Sequence, residues 1–268
     1  MESEGSPMPD PRFASLGRLL GRPAVARLAR SHVVIVGVGG VGSWTVEALA
    51  RSGVGALTLI DMDDVCVTNI NRQLPALVST VGKPKVAVLA ERIRDIHPGC
   101  QVHAITEFLL PSNAERLLAG DFSCVVDATD RMSIKALILA TCRERGLPVL
   151  TIGAAGGKTD STQIRCDDLG RTGRDDLLRL VRRKLRRDHG WEKGDGHFYG
   201  VPAIFSPEPP AYPWSDGSTC ASPEPGSNLK MDCATGFGAA CHVTGAFGFA
   251  AAGEAIRLLM AAGPLPDA

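Results

Sequence analysis

From Ser31 onward the chain alternates short uninterrupted apolar runs with longer segments whose apolar positions recur at helical spacing. "HVVIVGV" (32–38), "ALTLID" (56–61), "QVHAITEFL" (101–109), "FSCVVDAT" (122–129) and "PVLTIGAAGG" (148–157) predict strands, bounded by Gly, Pro or Asp. Between them, residues 41–51, "KPKVAVLAERIRDIHP" (83–98, stopping at Pro98) and "MSIKALILATCRERG" (132–146, closed by Gly146) predict helices. Strand and helix in strict alternation predict an α/β fold, a doubly wound and mostly parallel sheet with a Rossmann-like core.

Beyond residue 157 the pattern changes. "DDLLRLVRRKLRRDHG" (175–190) reads as a helix with a basic face. Residues 191–232 are rich in Pro, Gly and Ser without strong periodicity and predict a long loop, of the length that is usually functional or mobile. Residues 234–262 are rich in Gly and Ala and uncharged until Glu254. About 20 such residues are long enough to span a bilayer, but Gly and Ala contribute little to insertion, so the segment predicts a helix packed on the sheet rather than a membrane span. The expected organisation is one domain over 1–268, with an N-terminal arm and helix over 1–30 and the basic helix plus a substrate loop over 171–233.

Composition narrows the partners. The 268 residues, 44% of them apolar, suffice for a full core. Twenty-nine basic against 29 acidic residues leave no global field for a polyanion, so such a partner must be met by a local patch. The eight cysteines (66, 100, 124, 142, 166, 220, 233 and 241) form no Cys-x-x-Cys pair, which removes sequence support for tetrahedral zinc. "MESEGSPMPDPRF" has no basic start followed by an apolar run, and reduced thiols in a cytoplasmic protein are expected.

In "GVGGVG", Gly37, Gly39 or Gly40, and Gly42 allow a tight turn that aims backbone N–H groups at phosphate from a helix N-terminus. Asp61, about 20 residues on at the end of the next strand, suits ribose hydroxyls. To this point NAD, FAD and ATP are equally served. Asn69, Arg72 and Lys85 follow within one loop-helix segment, and Asp130 lies at the C-terminal end of a later strand. A triphosphate under attack develops charge that needs cations and a metal. Arg72 and Lys85 are the candidate cations and Asp130 the candidate Mg²⁺ ligand, although each alone reads equally as a solvated charge or, for Asp130, a helix N-cap.

"GVGGVG", "LIDMDDV", "TNINRQ", "VGKPK" and "DATD" together resemble the nucleotide-binding domain of the E1-like adenylating superfamily of ubiquitin-activating and ThiF-like enzymes. The resemblance implies that Gly40 and its neighbours meet the phosphates, Asp61 the ribose, Asn69, Arg72 and Lys85 the phosphates, and Asp130 the Mg²⁺. It also implies a homodimer with an N-terminal arginine lent between subunits, Arg12 or Arg18 here. "YPWSDGSTC" and "KMDCATGFGAACHVTGAFGF" are similar to the tRNA threonylcarbamoyladenosine dehydratase family, from about Arg12 to the C-terminus. That family activates the carboxylate of N6-threonylcarbamoyladenosine beside the tRNA anticodon as an acyl-adenylate, then closes the modification into a ring. The alternative within the superfamily is an activator that adenylates the C-terminal glycine of a ubiquitin-like sulfur carrier, a branch that commonly holds zinc. The likeness also implies association with a cysteine desulfurase and its sulfur acceptor. Cys233 is then either a structural or substrate-lining residue or a nucleophile, with Lys230 as its nearby cation, and Cys220 is a more distant candidate.

A tRNA substrate needs phosphate contacts. Arg179, Arg182, Arg183, Lys184, Arg186 and Arg187 supply a concentrated patch that reads either as a tRNA contact or as a solvated helix face. Trp191, Phe198, Tyr199, Tyr212 and Trp214 either stack on unpaired anticodon-loop bases or pack the loop onto the core.

Overall fold

The computed structural model of the protein describes residues 10–193, 196–226 and 237–261. Two short helices, α1 (Ala14–Leu20) and α2 (Arg22–Ala29), are divided at Gly21, and Pro23 opens the second. They lead into β1 (His32–Val36), α3 (Gly42–Arg51), β2 (Ala56–Ile60), α4 (Lys85–Ile96) and β3 (Gln101–Ile105). The single-turn α5 (Ala114–Leu117), β4 (Cys124–Asp127), α6 (Met132–Glu144) and β5 (Val149–Ile152) follow. Then come β6 (Arg165–Asp168), α7 (Asp176–Asp188), β7 (Pro202–Phe205), a hairpin of β8 (Tyr212–Pro213) and β9 (Thr219–Cys220), and α8 (Cys241–Ala261).

Seven strands form one sheet in the order β3-β2-β1-β4-β5-β7-β6. Every pairing is parallel except β6 with β7. Alternate residues of the central strands feed opposite layers. Val33, Ile35, Leu57 and Leu59 pack with α3, α4 and α8, whereas Val34, Val36 and Val125 pack with α6 and α7. The chain crosses from one half-sheet to the other between β1 and β4, which opens a crevice at the carboxyl ends of those strands, where ligands bind in such sheets.

The long loop expected over 191–232 is corrected. It contains β7, which completes the sheet beside β5, and the β8–β9 hairpin. β7 is only four residues long and starts with proline, so no periodicity marks it. Its entry is fixed from elsewhere in the chain: the Asp168 carboxylate accepts the N–H groups of Gly170 (2.8 Å), Tyr199 (2.9 Å) and Val201 (3.1 Å). The strands expected over 101–109 and 148–157 end sooner, at Ile105 and Ile152.

α8 is the one helix among the described residues long and apolar enough to cross a membrane, and more than half of it is buried in the fold. Its small residues have a packing reason. A Cβ at Gly248 would lie 2.6 Å from the Trp44 Cβ, and the Thr45 hydroxyl donates to the Gly248 carbonyl (3.2 Å), so α8 and α3 approach to backbone contact.

Candidate active site

A cavity of about 850 Å³ lies over the carboxyl ends of β1, β2, β4 and β5. Its floor on the β1 side is the turn into α3. The N–H of Gly37 is used by the Ile60 carbonyl and that of Val38 by Asp61 Oδ2 (2.8 Å). Those of Gly39 and Gly40 have no partner among the described residues, and α3 has no side-chain cap. An uncapped helix start with free N–H groups favours an anion.

Gly37, Gly39 and Gly40 line the cavity, as do Asp61, Asn69, Arg72, Lys85 and Asp130. Gly42 does not. A Cβ there would stand 1.9 Å from the Gly37 carbonyl oxygen, so the missing side chain closes the turn rather than admitting a ligand. Arg12 and Arg18 are also absent from this lining, and Arg12 pairs with Asp10 (3.0 Å).

The cavity's charges are held in different ways. Asp61 accepts a second N–H, from Asp63 (2.9 Å). Asn69 is buried, and its Oδ1 accepts from the Cys66 N–H (3.1 Å), pinning the loop that carries Arg72. Lys85 is also buried and its ammonium holds Asp63 (2.8 Å). Arg72 directs Nη1 to the Thr68 carbonyl (2.8 Å) and to Asn71 Oδ1 (3.0 Å). It forms no ion pair among the described residues, and its Nε–Nη2 edge has no partner there, the edge a phosphate takes in bidentate fashion. Asp130 is exposed, with its carboxylate likewise unpartnered among the described residues.

Beneath Asp130 lies a group that the sequence did not single out. Asp127, Lys135 and Thr151 are all fully buried. Asp127 Oδ2 accepts from Lys135 Nζ (3.1 Å) and Thr151 Oγ1 (2.7 Å), and Oδ1 accepts the Thr129 hydroxyl (2.7 Å) and N–H (3.2 Å). The turn bearing Asp130 is thus tied to the sheet.

The far side of the cavity is formed by residues 153–156, Leu177 and the segment 237–239. Asp175 caps α7 and binds the Ala154 N–H (2.9 Å), and burial pushes its carboxyl above the usual range despite the N–H donors of Leu178 and Ala154. Lys158, nearby, is held on the Glu208 carbonyl, and burial lowers its pKa. Segment 237–239 of this lining is tied to both sides of the cavity. The Gly157 N–H donates to the Gly238 carbonyl (2.7 Å), and Asn71 Nδ2 donates to the Ala239 carbonyl (2.7 Å) from the opposite side. Cys233 and Lys230 lie outside the described residues. Among the described residues no group of three or more His, Cys, Asp or Glu converges on a point as a metal cage would.

The sequence pattern of the ThiF family matches residues 14–266. The chain belongs to the ThiF family. Within it, the chain is 47% identical to the tRNA threonylcarbamoyladenosine dehydratase of Escherichia coli K12 over 251 residues, covering 93% of this chain and 94% of that one. It is 45% identical to the enzyme of the same name from Haemophilus influenzae, covering 93% of each. The crystal structure of the E. coli dehydratase in complex with ATP superposes with a TM-score of 0.81 at 43% identity, covering 93% of this chain and 94% of that one. The doubly wound ThiF fold expected from the sequence is therefore the observed one.

The basic helix, α7, divides within this ThiF-family chain. Arg182 reaches the Leu169 carbonyl (3.1 Å) and the Thr172 hydroxyl, and Arg186 Nε donates to the Tyr199 hydroxyl (2.9 Å). Lys184 and Arg187 pair with Asp188, and Arg179 with Asp176. Arg183 and Arg187 are exposed. The aromatic residues divide as well. Trp191 is buried under the Arg143 guanidinium (4.5 Å), Tyr199 donates to the Glu192 carbonyl (2.9 Å) and Tyr212 packs on Phe237 (5.1 Å). The Trp214 indole N–H donates to the Ser222 carbonyl (3.0 Å). Phe198 alone of the five is largely exposed, at 63%.

Proposed function

We propose that this chain is an ATP-dependent tRNA threonylcarbamoyladenosine dehydratase. The observation that carries the reading is one cavity that gathers the free Gly39 and Gly40 N–H groups, the open edge of Arg72 and the unpartnered carboxylate of Asp130. A dinucleotide needs only the first of these; a triphosphate uses all three. Support also comes from relatives of that name matched along nearly their whole length.

On this reading Asp61 receives the ribose and the glycine turn the phosphates. Arg72 and Lys85 counter the charge that develops on the phosphates, and Lys85 remains fixed in place by Asp63. A magnesium ion fits the donor set, because Mg²⁺ is commonly held by one or two carboxylates completed by water and substrate phosphates, and Asp130 offers one free carboxylate. When bound it neutralises phosphate charge. The threonylcarbamoyl carboxylate attacks the α-phosphate, pyrophosphate leaves, and the carbamoyl group closes on the activated carbonyl with loss of AMP. Because that closure is intramolecular, it has high effective molarity and requires no enzyme nucleophile.

A homodimer is part of the proposal. Val67, Ile70, Leu77, Val78 and Val81 present an exposed apolar patch around the loop that holds Asn69 and Arg72, with Val78 at 88% exposure. A partner copy there would cover the patch and bring an Arg12 or Arg18 to the site. The exposed cations of α7 are the proposed tRNA contact, and the cytoplasm is the proposed location.

The test is mass spectrometry of tRNA nucleosides after incubation of the pure protein with MgATP and threonylcarbamoyl-modified tRNA. A product lighter by one water, formed with AMP and only with ATP, is expected. No such product, but pyrophosphate exchange into ATP dependent on a carrier protein ending in glycine, would replace this reading with carrier activation.

A further inference from the structure

The side chain of Asn71 ties the two sides of the cavity together. Its Oδ1 accepts Nη1 of Arg72 (3.0 Å) and its Nδ2 donates to the Ala239 carbonyl (2.7 Å). The first bond, with that of the Thr68 carbonyl, occupies Nη1 and leaves the Nε–Nη2 edge of Arg72 for a phosphate. The second holds the cavity's roof, the lining residues 237–239 with the adjoining Ala240, from the Arg72 side. On the opposite side the roof has its own anchors: the Gly157 N–H on the Gly238 carbonyl (2.7 Å), the Tyr212 ring on Phe237 (5.1 Å) and His242 Nε2 on the Thr159 carbonyl (3.0 Å). Without Asn71 the roof is hinged at the β5 side and loses its tie to the Arg72 loop, apart from the Thr244 hydroxyl on the Arg72 carbonyl at the start of α8 (3.1 Å).

We propose that Asn71 is a positioning residue that couples phosphate binding at Arg72 to the seating of residues 237–240 over the substrate side of the cavity. An asparagine suits the task because one amide supplies an acceptor and a donor in fixed opposition. Phosphate on the Nε–Nη2 edge fixes the guanidinium, which fixes Asn71 Oδ1, which leaves Nδ2 aimed at the Ala239 carbonyl. By linkage, a seated roof returns the same free energy to nucleotide affinity. The second substrate then meets a finished wall only when the triphosphate is present, which disfavours entry in the wrong order.

The inference rests on the ATP reading of the cavity, and the experiment separates the two. Amide hydrogen exchange of residues 237–243 is measured with and without the magnesium complex of a non-hydrolysable ATP analogue, its binding followed independently by calorimetry. In the wild-type protein the analogue should slow exchange there roughly tenfold, within the usual range of coupling between sites. In Asn71→Ala, at saturating analogue, the slowing should fall below about twofold. Asn71→Asp keeps the size and the acceptor but has no donor for the Ala239 carbonyl, and it must lose the protection as well. Retained protection in either folded variant, or none in the wild type with analogue bound, overturns the coupling. Failure of the analogue to bind the wild type overturns the ATP reading itself, and the inference with it.

Discussion

The charged residues that line the cavity all stand on its β1–β4 side, and those packed behind its β5–β7 side are used differently. On the first side Arg72 keeps one edge of its guanidinium open and Asp130 keeps its carboxylate free among the described residues. On the second, Asp168, Asp175 and Glu208 each satisfy two or more backbone N–H groups, and Arg182 is spent on Leu169 and Thr172. Charge left without a partner marks where a ligand is received. Charge committed to the backbone builds the wall that the ligand meets, and Asp61, which accepts two N–H groups while facing the cavity, does so on the first side. Asp127 and Lys135 stand at the border, wholly buried and paired, and belong to the second kind although Asp127 is only three residues from Asp130.

The largest effect should come at that border. Removing one member of a buried pair strands the other, at about 3–5 kcal/mol. Lys135→Met is therefore expected to lower unfolding free energy by about that amount in a denaturant titration, and a loss below about 1 kcal/mol would mean that the pair is not the fixture described. Next come the open charges. Arg72→Ala and Asp130→Ala should each cut turnover by about 10²–10³-fold, the scale of lost transition-state stabilisation, with the melting temperature unchanged. Normal turnover in either would remove that residue from the phosphate chemistry.

The basic helix offers an internal test of the same contrast. Arg182→Ala should cost about 1–3 kcal/mol of stability, because the Thr172 hydroxyl and Leu169 carbonyl lose a buried donor. Arg183→Glu with Arg187→Glu should leave stability near the wild type and reduce the slope of log affinity for tRNA against log salt by roughly 1–2. An unchanged slope would return α7 to the status of a solvated face.

What was legible in the chain follows the same division. The glycine turn, Asp61 and Asp130 lie at the ends of strongly apolar strands or just after them, so the pattern puts them at one edge of the sheet, and the loop-helix segment after β2 brings Arg72 and Lys85 to the same crevice. Spacing does not separate a glycine that faces a ligand from one that closes a turn, which is why Gly42 reads the same as Gly40. β7 was hidden because its entry is built by Asp168, more than 30 residues before it. Arg182 and Arg186 read as surface charge because their partners, Thr172 and Tyr199, are ten and 13 residues away. Asn71 carries no signal of its own; only the fold brings Ala239 to its amide.

The smallest effect is a difference in thiol reactivity, and it probes the same boundary without disturbing it. Cys66 lines the cavity, and its Sγ accepts the Thr68 hydroxyl (3.2 Å). That hydroxyl, then the Thr68 N–H, holds the thiol below its ordinary value of 9.0, so its thiolate persists to lower pH than that of an unperturbed cysteine. Cys166, on the far edge of the sheet, is pushed up to about 11 by burial and the nearby Glu254 carboxylate, and Cys124 in β4 to about 12 by burial. Only the thiolate attacks an alkylating reagent. At pH 8, peptide mapping after a brief iodoacetamide pulse should therefore find Cys66 modified several-fold ahead of Cys166, with Cys124 untouched. Raising the pH should narrow the gap between Cys66 and Cys166, because the Cys66 thiolate saturates first. MgATP should slow the Cys66 reaction and leave that of Cys166 unchanged, since only the first shares the cavity with Arg72 and Lys85. Equal protection of both thiols would point to global tightening, and protection of neither would place the nucleotide elsewhere.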